Sequence, residues 1–311
     1  MEFHITAERM ELADAVRDYL TGTHGAEVLR RLDAGPNRDA AIWQGLADMG
    51  LTGLLVPEDK GGLDLTLTDA ALIARECGRA CLAEPLVESA FVAVPWMLAK
   101  GENADWGAIV DGSARPLPAH TINGCMADGD GAAMDSVDPL RNLTALPDDA
   151  SDDAHLLNLS ALMASAQLIG LAEAMLDQAV EYSKIREQFG QPVGGFQALK
   201  HKLADVAVAL EFARPVLWRA AEALSDRQDS APLHISHAKI AATDAAILSA
   251  ESAIQVHGAM GYTYEVDLHF WMKRAWALSG AWGSRAFHLA RVDAAIIGGA
   301  DYAEGAKLSM G

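Results

Sequence analysis

One short stretch limits what this chain can fold into: Tyr182 to Gln197, reading YSKIREQFGQPVGGFQ. An amphipathic helical run leads into Arg186. The chain then breaks at Gly190, Pro192 and the Gly194-Gly195 pair, and helical periodicity resumes after Phe196. The spacing predicts a helix, a tight loop and a second helix. At the loop Arg186 offers a planar fork of donors suited to a phosphate, Gln188 and Gln197 offer amides, and Phe189 and Phe196 offer flat apolar faces. Such a corner can hold a nucleotide, and it can equally be a plain helical hairpin with a solvated arginine.

The string RxQFGxPxxxFQ resembles the signature of the acyl-CoA dehydrogenase family, in which FAD accepts a hydride from the β-carbon of an acyl-CoA thioester. A second region carries the same resemblance. Trp43, Leu46, Gly50-Leu51, Pro57-Glu58 and Gly61-Gly62 follow the order W..L...GL.....PE..GG of that family's N-terminal domain. On residues alone this stretch reads as a helix capped at Gly50 and then a turn. A third is Gln255-Val256-His257-Gly258-Ala259-Met260-Gly261-Tyr262, similar to the family's QxxGGxGY segment, with Ala259 in place of the second glycine. Closely spaced glycines let backbone N–H groups approach an anion.

The resemblance implies that the arginine corner and the glutamine-glycine segment reach across a subunit interface to the adenosine-diphosphate half of a neighbour's FAD. Carried over residue by residue, it names Arg186, Gln188, Phe189, Gln197, Gln255 and Gly258 as cofactor contacts. It does not supply a general base. Where the family's usual glutamate belongs, counted from Gln255, stands Trp282, which cannot abstract a proton. The alternative position on the helix before the arginine corner falls at or near Ser160, with Asp153 and Glu173 the nearest carboxylates. Glu265 and Asp267 are the other acids close to the second segment, and helix capping or solvation accounts for them. His201 and His257 read as structural, and Cys77 with Cys81 as small packing groups on a helix. No catalytic residue is assigned.

Composition agrees with a mostly α chain. Of its 311 residues 51% are hydrophobic and 6% aromatic, a balance that favours packed helices. Residues 1–103 read as an N-terminal helical domain, with apolar spacing at Leu12, Val16 and Leu20 and again at Ala70, Ile73 and Cys77, and with an Asp14–Arg17 pair. Residues 104–155 turn to Gly, Pro and Asp, with apolar scraps at Ala108–Val110 and Leu143–Leu146 that can form a few short strands. The resemblance places a β-domain of roughly twice that length here, with a shelf for the flavin ring, and no shelf-forming segment is found. Residues 156–311 read as a C-terminal four-helix bundle, in which Leu199, Leu203, Val206 and Leu210 form one stripe and Pro215 is expected to kink or interrupt its helix.

A net charge of −19, from 24 Lys and Arg against 43 Asp and Glu, repels nucleic acid and anionic membrane. No uninterrupted apolar run approaches the roughly 20 residues that span a bilayer. The N-terminal MEFHITAERMELADAV has no signal-peptide pattern, and three cysteines give no complete disulfide framework or metal set, so a reducing cytoplasm is the expected home. By resemblance the chain is a lipid-metabolising oxidoreductase subunit. Its expected partners are an acyl-CoA, a second dehydrogenase-like subunit in a homo- or hetero-oligomer, and an electron-accepting flavoprotein. In its short middle region the chain is similar to the small subunits of heteromeric steroid-side-chain acyl-CoA dehydrogenases. A self-sufficient enzyme with a displaced base, and a non-redox helical interaction module, are the other two readings.

Overall fold

The computed structural model describes residues 5–297. The first four residues of the N-terminal segment and the last fourteen of the 156–311 unit lie outside the described residues. Eleven α-helices carry the described chain. The N-terminal part holds α1 (Ala7–Thr23), α2 (Ala26–Asp33), α3 (Ala40–Asp48), α4 (Leu67–Arg79) and α5 (Val94–Lys100), and a π-helical segment, Val87–Ala93, runs into α5. Val16, Leu20, Ala70, Ile73 and Cys77 all face the core, and the Asp14–Arg17 pair forms at 2.8 Å. Met49 caps the end of α3, with Gly50 next in the left-handed region (φ 78°), the capped turn the sequence predicts. Thr66 and Asp69 form a reciprocal capping box at the start of α4.

In the middle stretch, Ala108–Val110 lies in the short helix α6 (Trp106–Val110) rather than in a strand. Asp105 accepts the Ala108 N–H and nucleates that turn. Three strands follow, β1 (Cys125–Ala127), β2 (Ala133–Met134) and β3 (Leu143–Ala145), antiparallel in the order β1-β3-β2, with Met126 and Ala133 both opposite Thr144. No closed barrel occurs among the described residues.

The C-terminal part is a bundle of α7 (Ala154–Ile185), α8 (Gln197–Ser225) and α9 (Ala231–His257). α10 (Leu268–Gly280) lies against α7 and α9 as the fourth member, and α11 (Arg285–Ile297) follows on α9. α7 is the central element and also packs on α4, joining the two helical regions into one apolar core. By length and composition α7 could cross a bilayer, although Asn158, Ser160, Ser165 and Gln167 break its apolar run; 94% of its most apolar window is buried within the protein. The polar breaks include two satisfied internally, with Ser160 and Ser165 donating to the carbonyls of Leu156 and Ala161.

Pro215 does not interrupt α8, which runs through it. The proline sits on the exposed side, so the Glu211 carbonyl that loses its N–H partner can turn to water. Cys81 lies past the end of α4 in the left-handed region (φ 51°), not on the helix with Cys77. Both thiols are buried and burial raises both, Cys81 to about 12, so neither is a nucleophile at neutral pH.

Candidate functional site

The Tyr182–Gln197 corner is built by a two-residue hairpin set between α7 and α8. α7 ends as Arg186 turns to extended backbone, and the Val193 N–H donates to the Arg186 carbonyl at 2.7 Å, closing the loop. β4 (Glu187–Gln188) pairs with β5 (Gln191–Pro192), and the turn residues Phe189 and Gly190 both have positive φ, 55° and 80°. Two successive left-handed residues define the turn type whose twist suits a hairpin. A phenylalanine there is strained, and its ring gains no burial, since it is 92% exposed with one edge-to-face contact to Phe196 at 6.0 Å. Arg186 and Gln188 are also exposed, and Gln197, exposed, lies 3.1 Å from His201. No side chain caps the start of α8. The corner therefore presents a cation, amides, an aromatic ring and open helix N–H groups outward.

The second segment forms at the end of α9. Gly258 has φ 61° and ψ −135°, a conformation open to glycine almost alone, although a Cβ there would meet nothing within 4 Å. Its backbone turn, not close packing, is what requires glycine. Gly261 is different: a Cβ would come 2.9 Å from the Ile254 carbonyl oxygen. Ala259 and Gln255 are exposed, so the extra methyl of Ala259 displaces nothing within the chain. The two segments meet at one end of the bundle. The Tyr182 hydroxyl donates to the His257 carbonyl at 3.4 Å, and the two rings stack with centroids 4.2 Å apart. His257 is otherwise held by Ala253 and has the structural role the sequence suggests.

No carboxylate is free to act as a base within a pocket among the acids named from sequence. Asp153 caps α7 and pairs with Lys100 at 2.6 Å, which holds it down at about 2. Glu173 is buried and accepts from Arg75 and Arg214, each at 2.8 Å. Ser160 is buried and committed to its own helix. Asp267 is gripped by both arms of Arg30 at 2.6 Å, and Glu265 is exposed.

Trp282, at the expected base position, is buried in the α10–α11 turn with φ 59°. Three groups fix that turn. Asn123 accepts the Trp282 N–H at 2.7 Å, and His288 Nε2 donates to the Trp282 carbonyl at 3.0 Å. The fully buried Lys239 donates to the carbonyls of Leu278, Ser279 and Gly283 at 3.0, 3.1 and 3.4 Å. Burial lowers Lys239 to about 7 and His288 to about 4. Trp282 walls a cavity of about 220 Å³ between this turn and the small sheet, lined also by Asn123, Ser136 and Arg141. That volume lies below the ~300–1,000 Å³ of sites that enclose drug-sized ligands. A whole flavin with an acyl thioester does not fit there. The outward corner, by contrast, exposes an arginine fork, two amides and an aromatic ring, a donor set with the chemistry to hold one side of a nucleotide. Sequence reasoning missed Asn123, Arg141, Lys239 and His288, because Asn123 and Lys239 find their partners across the fold and neither Arg141 nor His288 lies in a motif.

Comparison with known proteins bears on both halves. The acyl-CoA dehydrogenase N-terminal domain family matches residues 6–104, and the acyl-CoA dehydrogenase C-terminal domain family matches residues 153–297. The chain is 31% identical over 294 residues to acyl-CoA dehydrogenase IpdE2 of Mycobacterium tuberculosis, covering 86% of this chain and 91% of that protein. Its fold resembles that of the ChsE4-ChsE5 complex of the same organism (TM-score 0.84, 21% identity, 96% and 99% of the two chains). It also resembles butyryl-CoA dehydrogenase of Megasphaera elsdenii (TM-score 0.81, 21% identity, 96% and 100%). With both terminal regions matched and a relative aligned over most of its length, the chain belongs to the acyl-CoA dehydrogenase family of FAD-dependent oxidoreductases.

Proposed function

We propose that this chain is the non-base-bearing subunit of a cytoplasmic, heteromeric acyl-CoA dehydrogenase that takes part in α,β-desaturation of an acyl-CoA thioester. The observation that carries the reading is the pairing of an outward-facing corner at Arg186–Gln197 with a buried Trp282 where a base is needed. Arg186, Gln188, Phe189, Gln197, Gln255 and Gly258 form the wall that meets the adenosine-diphosphate half of FAD held by the partner. Arg186 pairs with a phosphate oxygen, Phe189 covers a flat surface, and the Gly258 turn offers backbone N–H groups. When bound, the flavin supplies hydride acceptance; the base that removes the α-proton belongs to the partner. The same reading divides the chain at about 103 and 155, with the middle unit shortened because it no longer shelves a flavin ring. The similarity in fold to a chain of the ChsE4-ChsE5 complex, an assembly of two differently named chains, supports an arrangement of this kind.

The test is co-expression with dehydrogenase-like partners, followed by flavin absorbance, mass of the assembly and turnover on an acyl-CoA panel. The chain alone should bind little flavin and be nearly silent, and the assembly should be active. Within it, Arg186→Ala should weaken flavin binding by roughly 10–100-fold, the worth of one charge-assisted contact. Stoichiometric FAD and desaturation by the purified chain alone would overturn the proposal in favour of a homomeric enzyme with a displaced base.

A further inference from the structure

The cavity beside Trp282 contains a cation with no partner among the described residues. Arg141 is only 9% exposed, lines the cavity, and its Nε has no hydrogen-bond acceptor. No ion pair among the described residues involves it. The acids close to it in sequence are already engaged: Asp138 is fully buried against Arg274, and Asp128 is held by Arg38 at 2.6 Å and by Asn142 at 3.0 Å. Asp135, at the cavity's rim, is exposed and forms no ion pair with any described residue. A buried guanidinium Nε without an acceptor is unfavourable, and a fold that keeps it beside an open volume, with the two Nη groups unpaired among the described residues, has room for an anion. The rest of the lining sets the anion's character. Ile122, Leu143, Ala277 and Trp282 are apolar and face the same volume, while Ser136 and Asn123 add polar edges.

We propose that this cavity is a binding site for a small carboxylate with an apolar tail, its carboxylate on the Arg141 fork and its tail against Trp282. A fork of parallel N–H donors matches a carboxylate in two-point geometry. Inorganic phosphate would satisfy the arginine but leave the apolar wall uncovered. About 220 Å³ admits an acid of a few carbons and excludes a CoA thioester. The site stands apart from the Arg186 corner, so it can hold or fail independently of the flavin reading.

The experiment uses the full chain labelled with 5-fluorotryptophan, the Trp282 resonance being assigned by its loss in Trp282→Phe. Sodium hexanoate is titrated against hexanamide and inorganic phosphate, with the fold of each variant checked by circular dichroism and thermal melting. Hexanoate should shift the Trp282 resonance saturably, while hexanamide and phosphate should not. Arg141→Gln should weaken hexanoate binding by roughly 10–100-fold, with Arg141→Lys intermediate. Equal binding of hexanamide, equal binding to Arg141→Gln, displacement of hexanoate by phosphate at matched concentration, or no saturable shift would each overturn the assignment. Should Arg141→Gln fail to fold, the contrast of hexanoate with hexanamide on the unaltered chain decides.

Discussion

Replacing Lys239 with methionine isolates the cost of one buried ammonium. Its nitrogen makes three bonds to carbonyls and no carboxylate bond, and burial brings it from 10.5 to about 7. Below pH 7 both the folded and the unfolded chain carry the proton, and the folded state bears the full cost of holding the charge. As pH rises through 7 the folded state releases its proton, while the unfolded state keeps it until about 10.5. Stability contributed by this residue therefore rises with pH across that window, with a slope of about 1.4 kcal/mol per pH unit. Between pH 6 and pH 9 the gain is about 3 kcal/mol. His288, neutral above about 4, does not titrate in the window. Lys239→Met, of similar volume, loses the three donors, which fixes an offset at pH 6 but has no titration of its own. Urea unfolding of both proteins at pH 6, 7, 8 and 9 gives the difference in free energy at each pH. That difference should move by about 3 kcal/mol in favour of the wild type as pH rises. A pH-independent difference would refute the buried, uncompensated ammonium.

Pro215→Ala should restore the missing α8 bond on an exposed face and raise stability by about 1–3 kcal/mol, read as a shift in the urea midpoint; an unchanged midpoint would show that α8 has already absorbed the proline. Phe189→Ser removes an exposed ring from a strained turn, so the isolated chain should keep its stability within about 0.5 kcal/mol, while association with the proposed dehydrogenase-like subunit, measured by analytical ultracentrifugation, should weaken; a large loss of chain stability would mean the ring packs within its own chain. Thr66→Ala breaks the α4 capping box and should cost about 1 kcal/mol in thermal or urea unfolding, and no cost would show that Asp69 alone holds that end.

What is legible in the sequence is what repeats or clusters locally. The apolar spacing of Val16, Leu20, Ala70 and Ile73 predicts buried helix faces, and the breaks at Gly190 and Gly50 locate turns that the structure contains. The corner and the glutamine-glycine segment are each recognisable alone, but only the Tyr182–His257 contact shows that they adjoin. Periodicity is blind to pairs made across the fold. Glu173, which from sequence is only an ill-placed base, is the acceptor for arginines from α4 and α8. Lys239 lies in an alanine-rich helix with nothing nearby to mark its burial, because its acceptors come 39 to 44 residues later. Ala108–Val110 misleads for a related reason: three apolar residues are too few to separate strand from helix, and the deciding Asp105 cap is a polar signal.

The apolar character of α7 has a consequence in time. During synthesis its burial must await α9, since Ala172 accepts from Ser249 Oγ, 77 residues further along the chain. At roughly 5–20 residues per second, that leaves about 4–15 s in which a bilayer-compatible helix has emerged without its cover. Over that interval α4, already complete, is the neighbour best placed to shield it. The nascent chain should therefore be held by chaperones until α9 has left the ribosome, and a chain ended before residue 231 should aggregate where the full-length chain folds.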